Sequence, residues 1–311
     1  MPRIVTLLFL VSIGPLHLLI GCGSNDPPAP IQTTAHLHSI HFVDRKNGWT
    51  AGSNGTIFKT VDGGQSWQDL TTDTEFPLTD TINRIFFTTR DHGWLVSLKG
   101  QIYYTVNGGQ IWRQQSSGLG NGLTDLFFAK NAFGWAVGGG GIILHTNNGG
   151  SSWERQRTPT ATHLWAVYFS DQQKGWVVGE KGTILTTKNS GQRWQIQRSK
   201  VESALLAVSF SDAENGWVVG VDGIVLRTTN GGRRWKRQTT SVQKTWRSVV
   251  AVTPTEGWIA GEDGILLQTL DGGRSWQPKD FGCTQNLLHL FARKGQIWIC
   301  GAKGTISRQP Q

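Results

Sequence analysis

The sequence predicts an all-β fold, a seven-bladed β-propeller of four-stranded blades. First, an eight-residue motif, T-x-[DN]-x-G-x-x-W, occurs six times. Second, a Gly-Trp pair precedes every copy, and its six tryptophans together with Trp298 recur at steps of 45, 41, 41, 41, 41 and 40 residues. Third, no segment shows the periodicity of an amphipathic helix. A period near 40 residues with Gly and Trp markers is typical of propeller blades.

The two markers define the repeat along the whole chain. The motif copies occupy residues 60–67, 105–112, 146–153, 187–194, 228–235 and 269–276. The tryptophans of the Gly-Trp pairs are Trp49, Trp94, Trp135, Trp176, Trp217 and Trp258, and Trp298 follows as a seventh, unpaired copy. Twelve of the fifteen tryptophans therefore hold fixed blade positions, which indicates core packing rather than a stacking surface for sugars.

One repeat shows the strands of a blade. Residues 164–169 alternate as a first strand, residues 175–179 form a second, residues 182–187 a third and residues 194–198 a fourth. The hairpin between the second and third strands places Gly182 where positive φ is needed. The motif turn joins the third strand to the fourth.

The Asp or Asn of each motif is predicted to stabilise the turn rather than to catalyse. Such a side chain accepts hydrogen bonds from backbone N–H groups two and more residues on, while the glycine allows the left-handed conformation. Asn stands in four of the six copies, and Asn keeps the acceptor but could not serve as a general base. The six residues are Asp62, Asn107, Asn148, Asn189, Asn230 and Asp271.

This motif and the hairpin before it are similar to the Asp-box of sialidases and related propellers. The whole unit, G-W-x-x-G-x-x-G-T-[IL]-x-x-T-x-[DN]-G-G-x-x-W, resembles the photosystem II stability and assembly factor family, which comprises the chloroplast high-chlorophyll-fluorescence factor and its cyanobacterial counterpart. The resemblance runs from about residue 36 to residue 306. It implies a propeller that holds a client protein, with an arginine-rich surface against that client, and it suggests a bacterial relative of the photosynthetic members.

The seventh blade lacks a fourth strand in sequence order. After the sixth unit, residues 287–291, 297–301 and 305–308 read as three strands and the repeat ends. Residues 31–34 (IQTT) match residues 237–240 (RQTT) near the outer strand of the fifth unit. Because an unpaired blade edge would be a liability, we expect this N-terminal outer strand to close the ring, within a propeller domain of residues 31–311.

Residues 1–21 read as a lipoprotein signal peptide. Arg3 precedes an apolar run over residues 4–20 that is too short and broken for a good spanning helix. Residues 19–22 (LIGC) match the bacterial lipobox, and the family resemblance implies cleavage before Cys22 and lipidation of its thiol. Residues 22–30 then form a short Pro-rich tether. We expect an exported protein anchored on the outer side of a membrane, in the periplasm, the thylakoid lumen or the cell exterior.

Basic residues gather in blades four to six of a chain with a net charge of +9. Charged outer strands block edge-to-edge pairing, which is one interpretation. The other is a docking patch for an acidic protein segment or for anionic head groups. Nucleic acid is not expected as a partner outside the cytoplasm. The candidate partner-binding residues are Arg193, Arg198, Arg233, Arg234, Lys236, Arg237 and Arg247, and Lys200, Arg227, Lys244 and Arg274 belong to the same gathering.

Enzymatic signals are poor, so no catalytic residue, metal ligand or cofactor is predicted. Sialidases use an arginine triad, a tyrosine nucleophile and a carboxylate pair, whereas this chain has three tyrosines, Tyr103, Tyr104 and Tyr168, and no Arg-Ile-Pro motif. The first hypothesis is a monomeric, non-enzymatic protein-binding scaffold, tethered to a membrane. The alternative is a carbohydrate-active propeller, either hydrolase or lectin, which would need carboxylates converging at the central channel.

Two further features stand outside the repeat. Residues 71–81 add four residues between blades one and two, and Phe76, Pro77 and Leu78 could contact a partner or cap the neighbouring blade. Antiparallel counting about the turn at residues 294–295 places Cys300 beside His289. This favours a packed thiol over a disulfide between Cys300 and Cys283.

Overall fold

The structure is a computed structural model that describes residues 31–71, 79–118, 122–280, 282–293 and 295–310. The predicted signal peptide, Cys22, the predicted tether and residues 76–78 of the inserted loop lie outside the described residues. The described chain consists of strands, turns and four short 3-10 turns, and it contains no helix long and apolar enough to cross a membrane.

Seven antiparallel sheets form the seven predicted blades, and each chain segment runs from the innermost strand outwards. Blades one and two consist of β1 (Leu37–Phe42), β2 (Gly48–Gly52), β3 (Ile57–Thr60), β4 (Gln68–Asp69), β5 (Ile82–Phe87), β6 (Gly93–Ser97), β7 (Ile102–Thr105) and β8 (Arg113–Gln115). Blades three and four consist of β9 (Leu123–Phe128), β10 (Gly134–Gly138), β11 (Ile142–Thr146), β12 (Glu154–Arg155), β13 (Leu164–Phe169), β14 (Gly175–Gly179), β15 (Ile184–Thr187) and β16 (Gln195–Gln197). Blades five and six consist of β17 (Leu205–Phe210), β18 (Gly216–Gly220), β19 (Val225–Thr228), β20 (Lys236–Gln238), β21 (Trp246–Ala251), β22 (Gly257–Gly261), β23 (Leu266–Thr269) and β24 (Gln277–Pro278). Blade seven consists of β25 (Leu287–Arg293), β26 (Gln296–Gly301) and β27 (Ile306–Pro310). The 3-10 turns are Ser53–Gly55, Gly139–Gly141, Glu262–Gly264 and Ala302–Gly304.

The innermost strands share a β-bulge next to their first residue. In β1 the register moves between Leu37 and Ser39, and the other six inner strands shift at the same place. A bulge leaves one residue without a ladder partner and re-aims its side chain. The inner strands of neighbouring blades contact one another all the way round, from β1 to β25 and back to β1.

Neighbouring blades are joined by a contact between the two sequence markers. Trp49 of blade one stacks on Phe87 of blade two, with ring centroids 3.6 Å apart, and donates its Nε1–H to the Gly108 carbonyl in the motif turn of blade two at 3.0 Å. Phe87 in turn lies over Gly93, where a Cβ atom would come within 2.5 Å of the ring. Glycine and tryptophan are thus adjacent because each belongs to a different inter-blade joint. The same stacking and hydrogen bonding recur at Trp94, Trp135, Trp176 and Trp298.

The joint between blades five and six differs. Ala251 takes the place of the phenylalanine, and the Arg227 guanidinium lies over the Trp217 ring instead, 4.0 Å from its centroid. Arg227 is buried and donates to Asn215 Oδ1 at 2.9 Å and to the Pro254 carbonyl at 2.6 Å. The prediction that Arg227 belongs to a basic surface was therefore wrong. Ala251 of the next blade is small, and the Arg227 side chain occupies the buried space beside it.

The ring closes between blades seven and one. Trp298 stacks on Phe42 with centroids 4.0 Å apart and donates to the Gly63 carbonyl at 3.0 Å. The Gly304 N–H also donates to the Ala35 carbonyl at 2.8 Å, so the N-terminal segment contacts blade seven.

The N-terminal segment does not form the expected outer strand at residues 31–34, which carry no strand pairing. The Thr33 carbonyl instead faces Gly304, as the Cys283 carbonyl faces Gly264 and the Val201 carbonyl faces Gly182. Cys283 and Val201 both come after the outer strands of their blades. The match between residues 31–34 and 237–240 was therefore out of register, and the preceding residues lie outside the described chain.

Cys300 is a packed thiol. It lies opposite His289 in the β25–β26 ladder, which confirms the counting from sequence. The thiol is free and buried, and its Sγ donates to the Leu37 carbonyl at 3.3 Å. Burial raises the pKa of Cys300 to about 12, so the group stays protonated at neutral pH.

Candidate functional site

The inner strands of all seven blades enclose a cavity of about 960 Å³ at the propeller axis. The seven bulge residues line it, and Asp125 is the one carboxylate among the described residues of its lining. Four cationic side chains line it as well: Arg84, Lys130, Arg247 and Arg293. Glycoside hydrolysis in its common form needs two carboxylates across the scissile bond. The lining therefore lacks the carboxylate pair on which the hydrolase alternative depends.

A polar cluster links blades two, three and seven inside this cavity. The Arg84 Nε atom lies 3.1 Å from Asp125 Oδ1, and an Arg84 Nη1–H group faces His289 Nε2. Asp125 also accepts the backbone N–H groups of Leu126 and Val167, both at 2.8 Å. Burial raises the pKa of Asp125, and Arg84 and the two N–H groups oppose that shift.

Two of the three histidines that line the cavity, His41 and His289, are neutral at physiological pH. Burial, followed by the charge of Arg84, lowers the pKa of His41 to about 3 and places the pKa of His289 well below its ordinary value. His41 Nε2 lies 2.8 Å from the Phe87 carbonyl, to which it donates. The two histidines therefore add no charge to the cluster of Arg84 and Asp125.

Sequence reasoning missed this cluster. Arg84, Asp125 and His289 each occupy the third position of an inner strand, where Ala166 and Ala207 stand in blades four and five. A signal was present in the alignment of the repeats, because a charged residue interrupts an otherwise small or apolar position.

The six motif turns share one hydrogen-bond pattern. In the first turn Asp62 Oδ1 accepts the Ser66 N–H at 3.0 Å and the Thr60 hydroxyl at 2.7 Å, while Thr60 Oγ1 accepts the Gly64 N–H at 2.9 Å. The equivalent side chain accepts the N–H four residues on in the other five turns, at 2.9 to 3.0 Å. The Asp or Asn thus satisfies turn N–H groups, which is a structural use of the side chain.

The two aspartates differ from the asparagines in a second bond. Ser66 donates its hydroxyl to Asp62 Oδ2 at 2.5 Å, and Ser275 donates to Asp271 Oδ2 at 2.7 Å. Burial opposes ionisation of Asp62, yet the hydrogen bonds from Ser66, Thr60 and Gln65 together outweigh it and lower its pKa to about 2. The bonds from Ser275 lower the pKa of Asp271 to about 2 as well. Both carboxylates are therefore ionised at neutral pH, so that both oxygens of each can accept.

The seven candidate partner-binding residues are exposed, but they do not share one surface. Because strands alternate in direction, all motif turns lie on one face of the ring, here called the turn face, and all connections between blades lie on the opposite, crossover face. Arg193, Arg233 and Arg234 are in motif turns on the turn face. Arg198 and Arg247 lie towards the crossover face, and Arg247 lines the cavity there.

Four of these residues adjoin one another in blade five: Arg233, Arg234, Lys236 and Arg237. This set is called the blade-five cluster below. None of the four has a carboxylate within 4.0 Å among the described residues. Arg247 and the neighbouring Lys244, by contrast, have carboxylate neighbours: Arg247 lies 4.0 Å from Glu262 and Lys244 2.8 Å from Asp263. The blade-five cluster therefore keeps its charge uncompensated at the surface.

No group of three or more His, Cys, Asp or Glu side chains in the described part of the chain is arranged to hold a metal ion.

The model of the family described as "Photosynthesis system II assembly factor YCF48" matches residues 71–157, 114–188 and 186–283. The photosystem II assembly protein Ycf48 of Thermosynechococcus vestitus is 40% identical over 68 residues. That alignment covers 21% of this chain and 20% of the relative, so it spans about a fifth of either protein.

Solved structures share the fold over nearly the whole chain. A structure titled "YCF48 bound to D1 peptide" has a TM-score of 0.77 at 23% identity and covers 91% of this chain and 95% of its own. YCF48 from Cyanidioschyzon merolae has a TM-score of 0.76 at 19% identity, with 90% and 97% covered. A GH74 xyloglucanase from Xanthomonas campestris reaches 0.71 at 11% identity and is covered over 52% of its length. At these identities the likeness concerns the fold.

Proposed function

We propose that this chain, which belongs to the photosynthesis system II assembly factor YCF48 family, is a non-enzymatic scaffold that holds a client protein. The client would be held while a membrane complex is assembled or stabilised. The observation that carries this proposal is the blade-five cluster, four exposed cations without an acidic neighbour among the described residues.

The cluster suits an acidic segment of a partner. Arg233 and Arg234 occupy the turn just before Trp235, and Lys236 and Arg237 begin the outer strand β20. Uncompensated charges at a rim raise the association rate of an oppositely charged partner and make it sensitive to salt. A long guanidinium also offers paired N–H donors to a carboxylate.

A D1-type subunit is the client we propose. The structural relative titled "YCF48 bound to D1 peptide" shares the propeller over 91% of this chain, which makes a client of that kind the first choice here. A glycoside hydrolase has less support, because Asp125 is the single carboxylate of the described cavity lining and its oxygens already accept backbone N–H groups.

We further propose that the chain is exported and anchored through a lipid on Cys22. The support is the lipobox at residues 19–22 and the preceding apolar run. Mass spectrometry of the membrane-bound protein should find an N-terminal Cys22 that carries acyl chains. A mature chain that retains residues 1–21, or begins at an unmodified Cys22, would contradict the anchor.

Charge reversal tests the scaffold proposal. The double variant Arg233→Glu and Arg234→Glu should fold normally, because other motif turns carry Gln, Ser or Ile at these positions. It should recover less D1 from a detergent extract of Thermosynechococcus vestitus membranes than the parent does. The matched control, Lys46→Glu with Arg113→Glu, makes the same charge change at exposed sites in blades one and two. Equal recovery by all three proteins would contradict a role for the cluster.

A further inference from the structure

The central cavity has two unlike walls. Blades seven, one, two and three present polar groups, among them His289, Arg84 and Asp125. Blades four and five present Ala166 and Ala207 at the equivalent position of their inner strands. These two small, apolar side chains therefore put no polar or charged group into the cavity at that position.

Arg84 has donors that the protein does not use. The Arg84 Nε atom makes an ion pair with Asp125 at 3.1 Å but lacks the alignment of a hydrogen bond, and no described residue accepts from Arg84 Nη2. The Arg84 side chain is 19% exposed, so it is accessible from the cavity. A guanidinium that is mostly out of water with unused N–H groups favours an added acceptor.

The contact between Arg84 and His289 leaves one donor unsatisfied. The Ile40 N–H faces His289 Nδ1 at 3.3 Å, and an Arg84 Nη1–H faces His289 Nε2. A neutral imidazole carries a proton on one nitrogen and can accept only at the other. In the tautomer whose Nδ1 accepts the Ile40 N–H, Nε2 carries the proton and the Arg84 Nη1–H lacks an acceptor, which leaves Arg84 a further unused donor.

The charge balance of the cavity also favours a bound anion. Lys130 and Arg293 line it in addition to the pair of Arg84 and Asp125, and Arg247, which also lines it, has Glu262 as a carboxylate neighbour. Asp125 cannot attract a cation well, because Leu126, Val167 and Arg84 already surround its oxygens. The lining therefore has an excess of positive charge, which favours anions in a partly enclosed space.

We propose that the central cavity binds an apolar monocarboxylate, with its carboxylate on Arg84 and its hydrocarbon body against Ala166 and Ala207. A planar carboxylate matches the guanidinium fork, and its single charge suits an arginine whose own charge is partly balanced by Asp125. The hydrocarbon body gains by leaving water for the alanine wall. This site is separate from the blade-five cluster, which lies on the rim.

Isothermal titration of the purified chain with four probes tests the chemical class. The probes are 4-phenylbutyrate, acetate, 4-phenylbutyramide and inorganic phosphate. We expect 4-phenylbutyrate to bind and the other three to bind at least about tenfold more weakly, because each lacks either the apolar body or the carboxylate. Equal binding of the amide would overturn anion recognition. Equal binding of acetate would overturn the apolar wall, and equal binding of phosphate would reduce the site to a general anion site.

Two variants locate the binding. Ala207→Leu fills the apolar wall without touching Arg84 and should weaken 4-phenylbutyrate at least about tenfold. The double variant Arg84→Gln and Asp125→Asn removes both charges together, so that no unpaired carboxylate is left behind, and it should weaken the probe to a similar extent. Arg113→Gln, on the rim, serves as the control and should bind as the parent does. Unchanged affinity in a folded Ala207→Leu protein would place the ligand elsewhere and overturn the proposal.

Discussion

The aspartates and asparagines of the motif turns differ in how they bond the side chain four residues on. Aspartate stands where the residue four positions on is Ser66 or Ser275, and the serine hydroxyl occupies the second carboxylate oxygen. In the third turn the serine hydroxyl is the acceptor instead of the donor, because Asn148 Nδ2 donates to Ser152 Oγ at 2.9 Å. Either side chain can therefore complete the turn when serine follows.

The first prediction follows from this equivalence. Asp62→Asn should change the free energy of unfolding little, because the new amide can donate to Ser66 as Asn148 does to Ser152. Asp62→Ala should lower it by about 1 kcal/mol, because the turn N–H groups lose their acceptor. Urea unfolding measures both. An Asn variant as unstable as the Ala variant would contradict the acceptor role.

The second prediction concerns the stability of the folded protein at low pH. Asp62 and Asp271 have pKa values of about 2 in the folded protein, below their ordinary value of 3.8. A depressed folded pKa stabilises the protein above the unfolded pKa, and this contribution is lost as pH falls through the folded pKa. The double variant Asp62→Asn and Asp271→Asn should therefore lose less stability than the parent between pH 4 and pH 2. Identical acid unfolding curves would show that these carboxylates do not contribute.

The role of the motif residues could be predicted from their sequence, because all partners of a turn lie within a few residues. The position of Arg227 could not. Whether an arginine at the end of β19 is buried depends on Ala251, which lies in the next blade and takes the place of a phenylalanine. The pair of Arg84 and Asp125 escaped prediction for the same reason, since its members belong to different blades.

At the scale of elements, the joint of Trp, Phe and Gly explains the spacing of the markers. Phe128 of blade three stacks on Trp94 of blade two and covers Gly134 of its own blade. The predicted strands of blade four match the structure to within two residues, because a blade is built from local hairpins. The joints between blades were not predicted, since the tryptophan and its acceptor are separated by more than 50 residues in sequence.

The third prediction compares two glycines at the same position of their blades. Gly134→Ala should lower the free energy of unfolding by about 1 to 3 kcal/mol, because its Cβ would lie within 2.5 Å of the Phe128 ring. Gly257→Ala in blade six should be nearly neutral, because Ala251 replaces the phenylalanine there and the nearest atom is 3.4 Å away. Thermal unfolding of the two variants distinguishes the joint from a general need for glycine. Equal losses of stability in the two variants would contradict the role given to the contact between phenylalanine and glycine.

At the scale of the whole molecule, the two ends of the chain meet at one seam. Ile31 is buried with Trp298 and Ile306 in the core between blades seven and one, and the Ala35 carbonyl accepts the Gly304 N–H. The number of blades could be predicted by counting the tryptophan markers that recur with the blade period. The seam could not be placed correctly, because a four-residue match does not fix the register of the N-terminal segment.

The fourth prediction removes the N-terminal part of the seam. A chain that begins at residue 37 should melt at a lower temperature than one that begins at residue 24, because it loses the buried Ile31 and the acceptor for Gly304. Differential scanning calorimetry compares the two. Equal melting temperatures would show that β1 to β27 close the ring unaided.

The central claim is that the blade-five cluster receives an acidic part of the client. The most direct measurement is the equilibrium affinity for a fluorescently labelled D1 peptide, determined by anisotropy at low and high salt. We expect the parent to bind more weakly as salt rises, since exposed charges are screened over about 10 Å at 0.1 M ionic strength. The Arg233→Glu and Arg234→Glu variant should bind at least about tenfold more weakly at low salt and respond little to salt. Equal affinity and equal salt response in the two proteins would contradict the claim.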